Sequence, residues 1–221
     1  MFRKLSHYSL VLILLMMASQ AAAFSFGSGK KGSGDMETRT MSLDQFEAIQ
    51  MSAAFDLEIS FGDKQKVEVT IDDNLWDILD VNVRGDWLKL EWDGNCRPSG
   101  KCRVEIVMKK LEEVEISGAG DVEISDFDGH KFKYRLSGAG DLEMDGKVDI
   151  LDVKISGAGN VDTRDLKAQS AKVNISGAGN ASVYAEESLR GRVSGVGNLS
   201  YYGDPEDVDT NVSGLGNIKR K

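Results

Sequence analysis

The sequence predicts an all-β fold, a β-helix-like solenoid whose rungs each contain 19 or 20 residues. The first observation is a phrase of five residues, Ser-Gly-Ala-Gly-Asp in its first form, that occurs six times and begins at Ser117, Ser137, Ser156, Ser176, Ser194 and Ser213. Successive phrases start 20, 19, 20, 18 and 19 residues apart, and so regular a period is typical of stacked repeats rather than of one active-site loop. The second observation is the alternation of apolar and polar residues on both sides of each phrase, which indicates short strands.

Stacking explains why the phrase contains glycine. A rung of this length cannot bury its apolar face alone, whereas rungs stacked about 4.8 Å apart form a continuous apolar column. Glycine permits positive φ and close passage of the backbone at each bend. We also expect the third position, which grows from Ala119 to Leu215, to face inward. The predicted bend glycines are Gly118, Gly120, Gly138, Gly140, Gly157, Gly159, Gly177, Gly179, Gly195, Gly197, Gly214 and Gly216.

The fifth position of the phrase predicts a ladder of Asx side chains that hydrogen-bond along the solenoid. Its members are Asp121, Asp141, Asn160, Asn180, Asn198 and Asn217. Asp121 and Asp141 would repel each other unless they were solvated, protonated or bridged by a cation, and the sequence leaves that choice open. Because a calcium site usually needs six or more oxygen ligands, we predict no metal and no cofactor.

The chain divides into three segments. Residues 1–23 have the parts of a signal peptide: cationic Arg3 and Lys4, an apolar run from Leu10 to Ala18, and small residues at Ala21 to Ala23. The apolar run is about half of the ~20 residues that a membrane-spanning helix needs, which favours cleavage without settling it. Residues 24–40, rich in Gly, Ser and Lys, predict a flexible leader. Residues 41–220 predict one β domain, with N-terminal strands in 41–110 and the repeats in 111–220.

The N-terminal strands lead into the repeats. Alternating residues from Phe55 to Ile59, a turn at Gly62 to Lys64 and the run from Val67 to Ile71 predict a β-hairpin. A short helical turn is expected at Leu75 to Leu79, with an N-cap offered by Asp72 to Asn74. This portion should be continuous with the solenoid.

Two cysteines, Cys96 and Cys102, flank a segment of turn-forming residues. In an exported protein this spacing favours one structural disulfide. A redox pair fits less well, since five residues separate the cysteines rather than the two of a Cys-x-x-Cys motif.

The net charge of the chain and the absence of catalytic motifs argue against several classes of function. A net charge of −9 repels nucleic acid and anionic lipid, so neither is an expected partner. Motifs for a nucleophile elbow or a phosphate loop are absent from the sequence, so an enzyme is not expected.

We expect an exported, non-enzymatic interaction module, adhesin-like, that binds an unidentified protein or glycan and could self-associate. It would reside in the periplasm or on the outer cell surface. The alternatives are a periplasmic structural or stress-related scaffold and, less favoured, a polysaccharide-active enzyme.

The chain also resembles a known family. Phe55-Asp56-Leu57-Glu58-Ile59, Val67-Glu68-Val69, Trp87-Leu88-Lys89-Leu90 and the phrase at Ser117 are similar, in this order, to the family of bacterial envelope proteins described as putative auto-transporter adhesin, head GIN domain. The resemblance spans about Phe46 to Lys219. It implies a β-helix-like all-β domain, and it brings no catalytic residues to transfer. The cysteine loop is an addition to the family pattern.

Overall fold

A computed structural model describes residues 29–221, so the predicted signal peptide and residues 24–28 of the leader lie outside the described part. The prediction of an all-β solenoid is confirmed: the structure is 67% strand and 3% helix and contains about five solenoid turns. Within the described residues one short 3-10 helix spans Asp73–Ile78. The strands are β1 (Lys30–Lys31), β2 (Met36–Met41), β3 (Ala48–Met51), β4 (Asp56–Phe61), β5 (Lys66–Asp72), β6 (Leu79–Arg84), β7 (Trp87–Trp92), β8 (Cys96–Arg97), β9 (Arg103–Met108), β10 (Glu113–Ile116), β11 (Val122–Leu136), β12 (Leu142–Ile155), β13 (Ala158–Thr163), β14 (Leu166–Ile175), β15 (Ala178–Tyr184), β16 (Ser188–Val193), β17 (Val196–Tyr202), β18 (Asp207–Val212) and β19 (Leu215–Arg220).

The rungs stack in parallel and in register on both sides of the phrases. On the side before the phrase, β3, β10, the ends of β11 and β12, β14, β16 and β18 form one sheet face. On the side after it, β4, the beginnings of β11 and β12, β13, β15, β17 and β19 form a second face. The strand β11 turns a further corner at an irregularity between Ile124 and Phe127, where Asp126 has a φ of 57°. Each phrase therefore lies at the corner between two flat faces.

The interior is one continuous apolar core. Residues one and three before each serine and five after it are buried in the early rungs, as Ile116, Val114 and Val122 illustrate. The expectation for the third phrase position is wrong, because Ala119 is exposed and Leu215 is 78% exposed. Successive side chains of a strand point to opposite sides. The two glycines of a phrase face the preceding rung, so the residue between them points away from it, into solvent.

The N-terminal end closes the stack with antiparallel strands. β7 and β9 add one more parallel layer, on β3 and β4 respectively. Beyond that layer β6 pairs antiparallel with β7, β5 with β9, and β2 with β5. The predicted hairpin between β4 and β5 is therefore wrong, since β9 lies between these two strands and pairs with both. The expected flexible leader is likewise corrected within residues 30–40, because β2 has a sheet edge to join and β1 pairs with β8.

The helical turn predicted at Leu75 to Leu79 is present one or two residues earlier, as the 3-10 helix. Leu75 is fully buried. Asp72 occupies the N-cap position but makes no side-chain capping hydrogen bond, since its carboxylate is used elsewhere.

Candidate functional surface

The repeated phrase packs against the rung that precedes it. A Cβ on Gly157 would overlap the carbonyl oxygen of Gly138, and one on Gly159 would overlap that of Gly140. The serine side chains point the same way, because Ser156 Oγ donates to the Leu136 carbonyl at 3.2 Å. The glycines and serines of the phrase are thus occupied by contacts between rungs rather than exposed as a ligand loop.

The structure contains a seventh copy of the phrase that lacks both glycines. Ser52-Ala53-Ala54-Phe55-Asp56 stacks under the phrase at Ser117, with Ala54 paired to Ala119. Ser117 Oγ donates to Ser52 Oγ at 3.2 Å, and the Asp121 amide donates to Asp56 Oδ1 at 3.2 Å. Both glycines are replaced here, and 65 residues separate the two serines. A search for Ser-x-Ala-x-Asp with apolar flanks would have found this copy.

The Asx residues form one column, in which the side-chain oxygens of Asp121, Asp141, Asn160 and Asn180 each accept a hydrogen bond from the next rung. The Asp141 amide donates to Asp121 Oδ1 at 3.0 Å, and the Asn160 amide donates to Asp141 Oδ1 at 2.7 Å. Further along, the Asn198 side-chain and backbone amides both donate to Asn180 Oδ1, at 2.9 and 3.1 Å. Both carboxylates at the acidic step therefore accept backbone hydrogen bonds. In residues 29–221 no group of three or more His, Cys, Asp and Glu residues has an arrangement that could hold a metal.

One polar group lies buried behind the acidic step. The Tyr134 side chain is fully buried and its hydroxyl has no hydrogen-bond partner among the described residues. Burial, and then the negative charges of Asp141 and Asp121, raise the pKa of Tyr134. The phenol is therefore held neutral, and its role in the described part of the chain is packing.

The two faces that meet at the phrase corner differ in charge pairing. On the face before the phrase, opposite charges alternate: Lys133 Nζ lies 2.6 Å from Glu113, and Arg135 lies 3.2 Å from Asp152.

On the face after the phrase, carboxylates lie in register on four neighbouring strands, at Glu105, Glu58, Glu123 and Glu143. Among the described residues only Glu58 of this group has an ion pair, with Arg103 at 3.1 Å. We call this the acidic face, and its field attracts cations and repels anions.

The cysteines are not joined, so the predicted disulfide is corrected to two free thiols. Cys96 lies on β8 beside Lys30, whereas Cys102 is buried next to β9. The loop between them is closed by Asp72 instead: the Ser99 amide donates to Asp72 Oδ2 at 2.9 Å and the Ser99 hydroxyl also binds this carboxylate. Burial, and then the Asp72 charge, raise the pKa of Cys102 to about 12 and also raise the pKa of Cys96. Both thiols are therefore poor nucleophiles.

Asp72 also fastens the beginning of the described chain. The Gly34 amide donates to Asp72 Oδ1 at 2.9 Å, and a Cβ on Gly32 would overlap the Asp72 carboxylate. Nearby, Asn74 Nδ2 donates to the Lys31 carbonyl at 2.8 Å. Residues 30–35 thus form a clasp around Asp72 to Asn74, which the Gly-rich composition of the segment did not reveal.

The match of residues 45–205 to the family model described as "Putative auto-transporter adhesin, head GIN domain" decides the family. The chain belongs to this family. The resemblance read from the sequence is therefore confirmed. No curated protein matches the chain.

Crystal structures of similar proteins have the same fold as this head GIN chain. A putative adhesin from Bacteroides fragilis has a TM-score of 0.74 at 22% identity, covering 87% of this chain and 100% of that chain. A putative adhesin from Parabacteroides merdae has a TM-score of 0.56 at 22% identity, covering 88% and 100%. A putative lipid binding protein from Parabacteroides distasonis has a TM-score of 0.55 at 25% identity, covering 85% and 98%. In residues 29–221 of the head GIN chain, no helix has the length and apolar character needed to cross a membrane.

Proposed function

We propose that this chain is an exported, non-enzymatic, adhesin-like module that binds an extended partner, a protein or a glycan, along the flat sides of its solenoid. The family label and the names of the similar structures support an adhesin-like role and an envelope or surface location. The lipid-binding name of one similar structure is not carried over, because buried side chains fill the interior from Phe46 to Leu199.

The proposal rests on one observation: the polar residues of the repeated phrase form their hydrogen bonds with neighbouring rungs. The serine, glycine and Asx positions of the phrase bond from rung to rung, as Ser156, Gly157 and Asn160 show. What the solenoid offers to other molecules is therefore its flat faces, and repetitive surfaces of this kind suit extended partners.

Surface labelling of intact cells tests the location. We expect an epitope-tagged chain to react with an impermeant reagent, whereas a tagged periplasmic protein of the same cells stays unlabelled. Complete protection of the chain until the outer envelope is opened would favour the scaffold alternative.

Binding of the purified chain to arrays of glycans and of extracellular matrix proteins tests the activity. The variant Glu123→Gln/Glu143→Gln removes two charges from the acidic face, and Glu186→Gln/Glu187→Gln removes two exposed charges elsewhere as a matched control. Loss of binding in the first variant alone locates the partner on the acidic face. An absence of binding to every surface, together with protection in intact cells, would overturn the adhesin-like role.

A further inference from the structure

Exposed apolar side chains gather at the C-terminal end of the solenoid. Within the described residues, six large hydrophobic side chains are exposed, and Val196, Val208, Val212 and Leu215 lie in the last two rungs. Val208 and Val212 are each 42% exposed, although their equivalents one rung earlier, Leu189 and Val193, are buried. The last rung therefore presents inward-facing positions that no further rung covers in the described part of the chain.

The same rung presents unpaired strand edges. β18 pairs with β16, and β19 pairs with β17, each along one edge only within residues 29–221. Every second backbone amide and carbonyl on the other edge is available, and such an edge pairs readily with another strand.

The two edge strands carry opposite charges on their outward positions. β18 has Asp207 and Asp209, while β19 has Lys219 and is followed by Lys221. Among the described residues, only Asp209 of these four has an ion pair, with Arg192 of the preceding rung at 2.9 Å. One strand of the rung is thus complementary to the other.

We infer that two copies of this chain associate through their C-terminal ends, related by a two-fold axis that passes at Gly214. In this arrangement β18 lies antiparallel to the partner's β19. Asp209 then faces the partner's Lys219, and Asp207 faces the partner's Lys221. Asn211 faces the partner's Asn217, while Thr210 covers the partner's Ile218 inside. Outward residues meet outward residues and inward residues meet inward residues, as antiparallel pairing requires.

A second copy fits this end better than other occupants do. An added peptide strand would pair with β18 or with β19 and would leave the other edge open. Head-to-tail stacking would place this end on the N-terminal end, where the antiparallel strands β2 and β6 lie and the clasp covers Asp72. In a two-fold contact the acidic β18 of each copy pairs with the cationic β19 of the other copy. Such a contact closes after two subunits.

Charge reversal tests the dimer. Sedimentation equilibrium of the purified chain should detect a dimer, and Asp207→Lys/Asp209→Lys and Lys219→Asp/Lys221→Asp should each raise its dissociation constant at least about tenfold. Mixing the two variants in equal amounts should restore a dimer, because each interface then pairs lysines with aspartates. The matched control, Lys131→Asp/Lys154→Asp, changes two exposed lysines away from this end and should leave the dimer unchanged.

Three results would overturn the inference: a chain that stays monomeric at concentrations up to about 1 mM; dimers that survive both reversals; or a mixture of the two reversed variants that stays monomeric. At low protein concentration, where the unaltered chain is monomeric, circular dichroism melts of the reversed variants should lie close to its melt, since the altered side chains are exposed and the Asp209–Arg192 pair is a surface pair. None of these results depends on whether the chain is an adhesin.

Discussion

The two ends of the solenoid are built in different ways. At the N-terminal end, antiparallel strands cover the first rung, Phe55 is buried and stacks on Trp92 with ring centroids 5.4 Å apart, and Asp72 fastens the clasp. At the C-terminal end, β18 and β19 stand uncovered and Leu215 is 78% exposed. Solenoids need a protected terminal rung, and only one end of this chain supplies its own protection within the described residues.

The comparison of the two ends also shows that the phrase glycines are required by contacts with the preceding rung and not with the following one. A Cβ on Gly118 would overlap the carbonyl oxygen of Ala53, and a Cβ on Gly214 would overlap that of Gly195. Each phrase therefore needs glycine because it packs on the phrase of the preceding rung. The copy at Ser52 has no earlier phrase beneath it, and it has Ala53 and Phe55 at the two glycine positions. An open end does not relax the requirement, since the last phrase still packs on its predecessor.

The largest effect is expected for Gly157→Ala/Gly159→Ala. Both new methyl groups would meet backbone atoms of the preceding rung, which cannot rotate away as a side chain can. We expect the free energy of unfolding to fall by at least about 4 kcal/mol. Thermal and urea unfolding of the purified chain measure it. The control Ala158→Val alters the exposed position between the two glycines, which is Val196 in a later phrase, and should be nearly neutral; an unchanged melting curve for the double variant would refute the packing described for the bends.

The two ends can be compared directly with one apolar truncation at each. Phe55→Ala should cost about 3–5 kcal/mol, as loss of a buried aromatic side chain does. Leu215→Ala should stay within about 0.5 kcal/mol, the usual range for an exposed side chain. Urea unfolding at low protein concentration keeps any dimer contact out of the second value. Equal losses from the two variants at this concentration would mean that other residues of the same chain cover Leu215 in solution.

The repeat region was predictable from the sequence because its information is local. The spacing from Ser117 to Ser213 fixes the rung length, and alternation around residues such as Val114 and Val122 separates inside from outside. The third phrase position was misjudged because a size trend from Ala119 to Leu215 says nothing about direction. The alternation of side-chain direction along the strand, counted from the glycines that face the preceding rung, predicts that the third position faces solvent.

The N-terminal end was less predictable because its contacts are distant in sequence. β9 lies between β4 and β5 although it follows them by more than 30 residues, so adjacency in the chain suggested a false hairpin. The clasp depends on hydrogen bonds from Gly34 and Ser99 to one buried carboxylate, Asp72, and composition alone reads such a Gly-Ser segment as flexible. For the same reason the seventh phrase, where Phe55 replaces a glycine, escaped the pattern.

Asp72 should make the closed end sensitive to acid. Burial would raise the pKa of Asp72, but hydrogen bonds from the Ser99 side chain and from the Ser99 and Gly34 amides outweigh burial and lower it below its ordinary value of 3.8. A lowered folded-state pKa contributes stability above the ordinary value, and this stability is lost as the pH falls through the lowered one. Asp72→Asn should therefore cost about 2 kcal/mol at pH 7 and progressively less below pH 3.8.

Urea unfolding of Asp72→Asn and of the unaltered chain between pH 7 and pH 2.5 measures this difference. Asp86→Asn, at an exposed turn, provides the control and should change little at any pH. A cost of Asp72→Asn that stays constant down to the lowest pH would mean that the carboxylate is held for its shape and not for its charge.

The smallest effect separates the middle of the Asx ladder from its end. Asn180 Oδ1 accepts two hydrogen bonds from Asn198, so Asn180→Ala should cost about 1 kcal/mol. The Asn217 side chain is exposed and makes no hydrogen bond within residues 29–221, so Asn217→Ala should be neutral in a monomer. In the end-to-end dimer Asn211 faces the partner's Asn217, and the same substitution should then weaken association. Unfolding at low and high protein concentration distinguishes these cases: a cost for Asn217→Ala that appears only at high concentration gives this amide a partner in the second copy, and a cost at every concentration gives it a partner within its own chain.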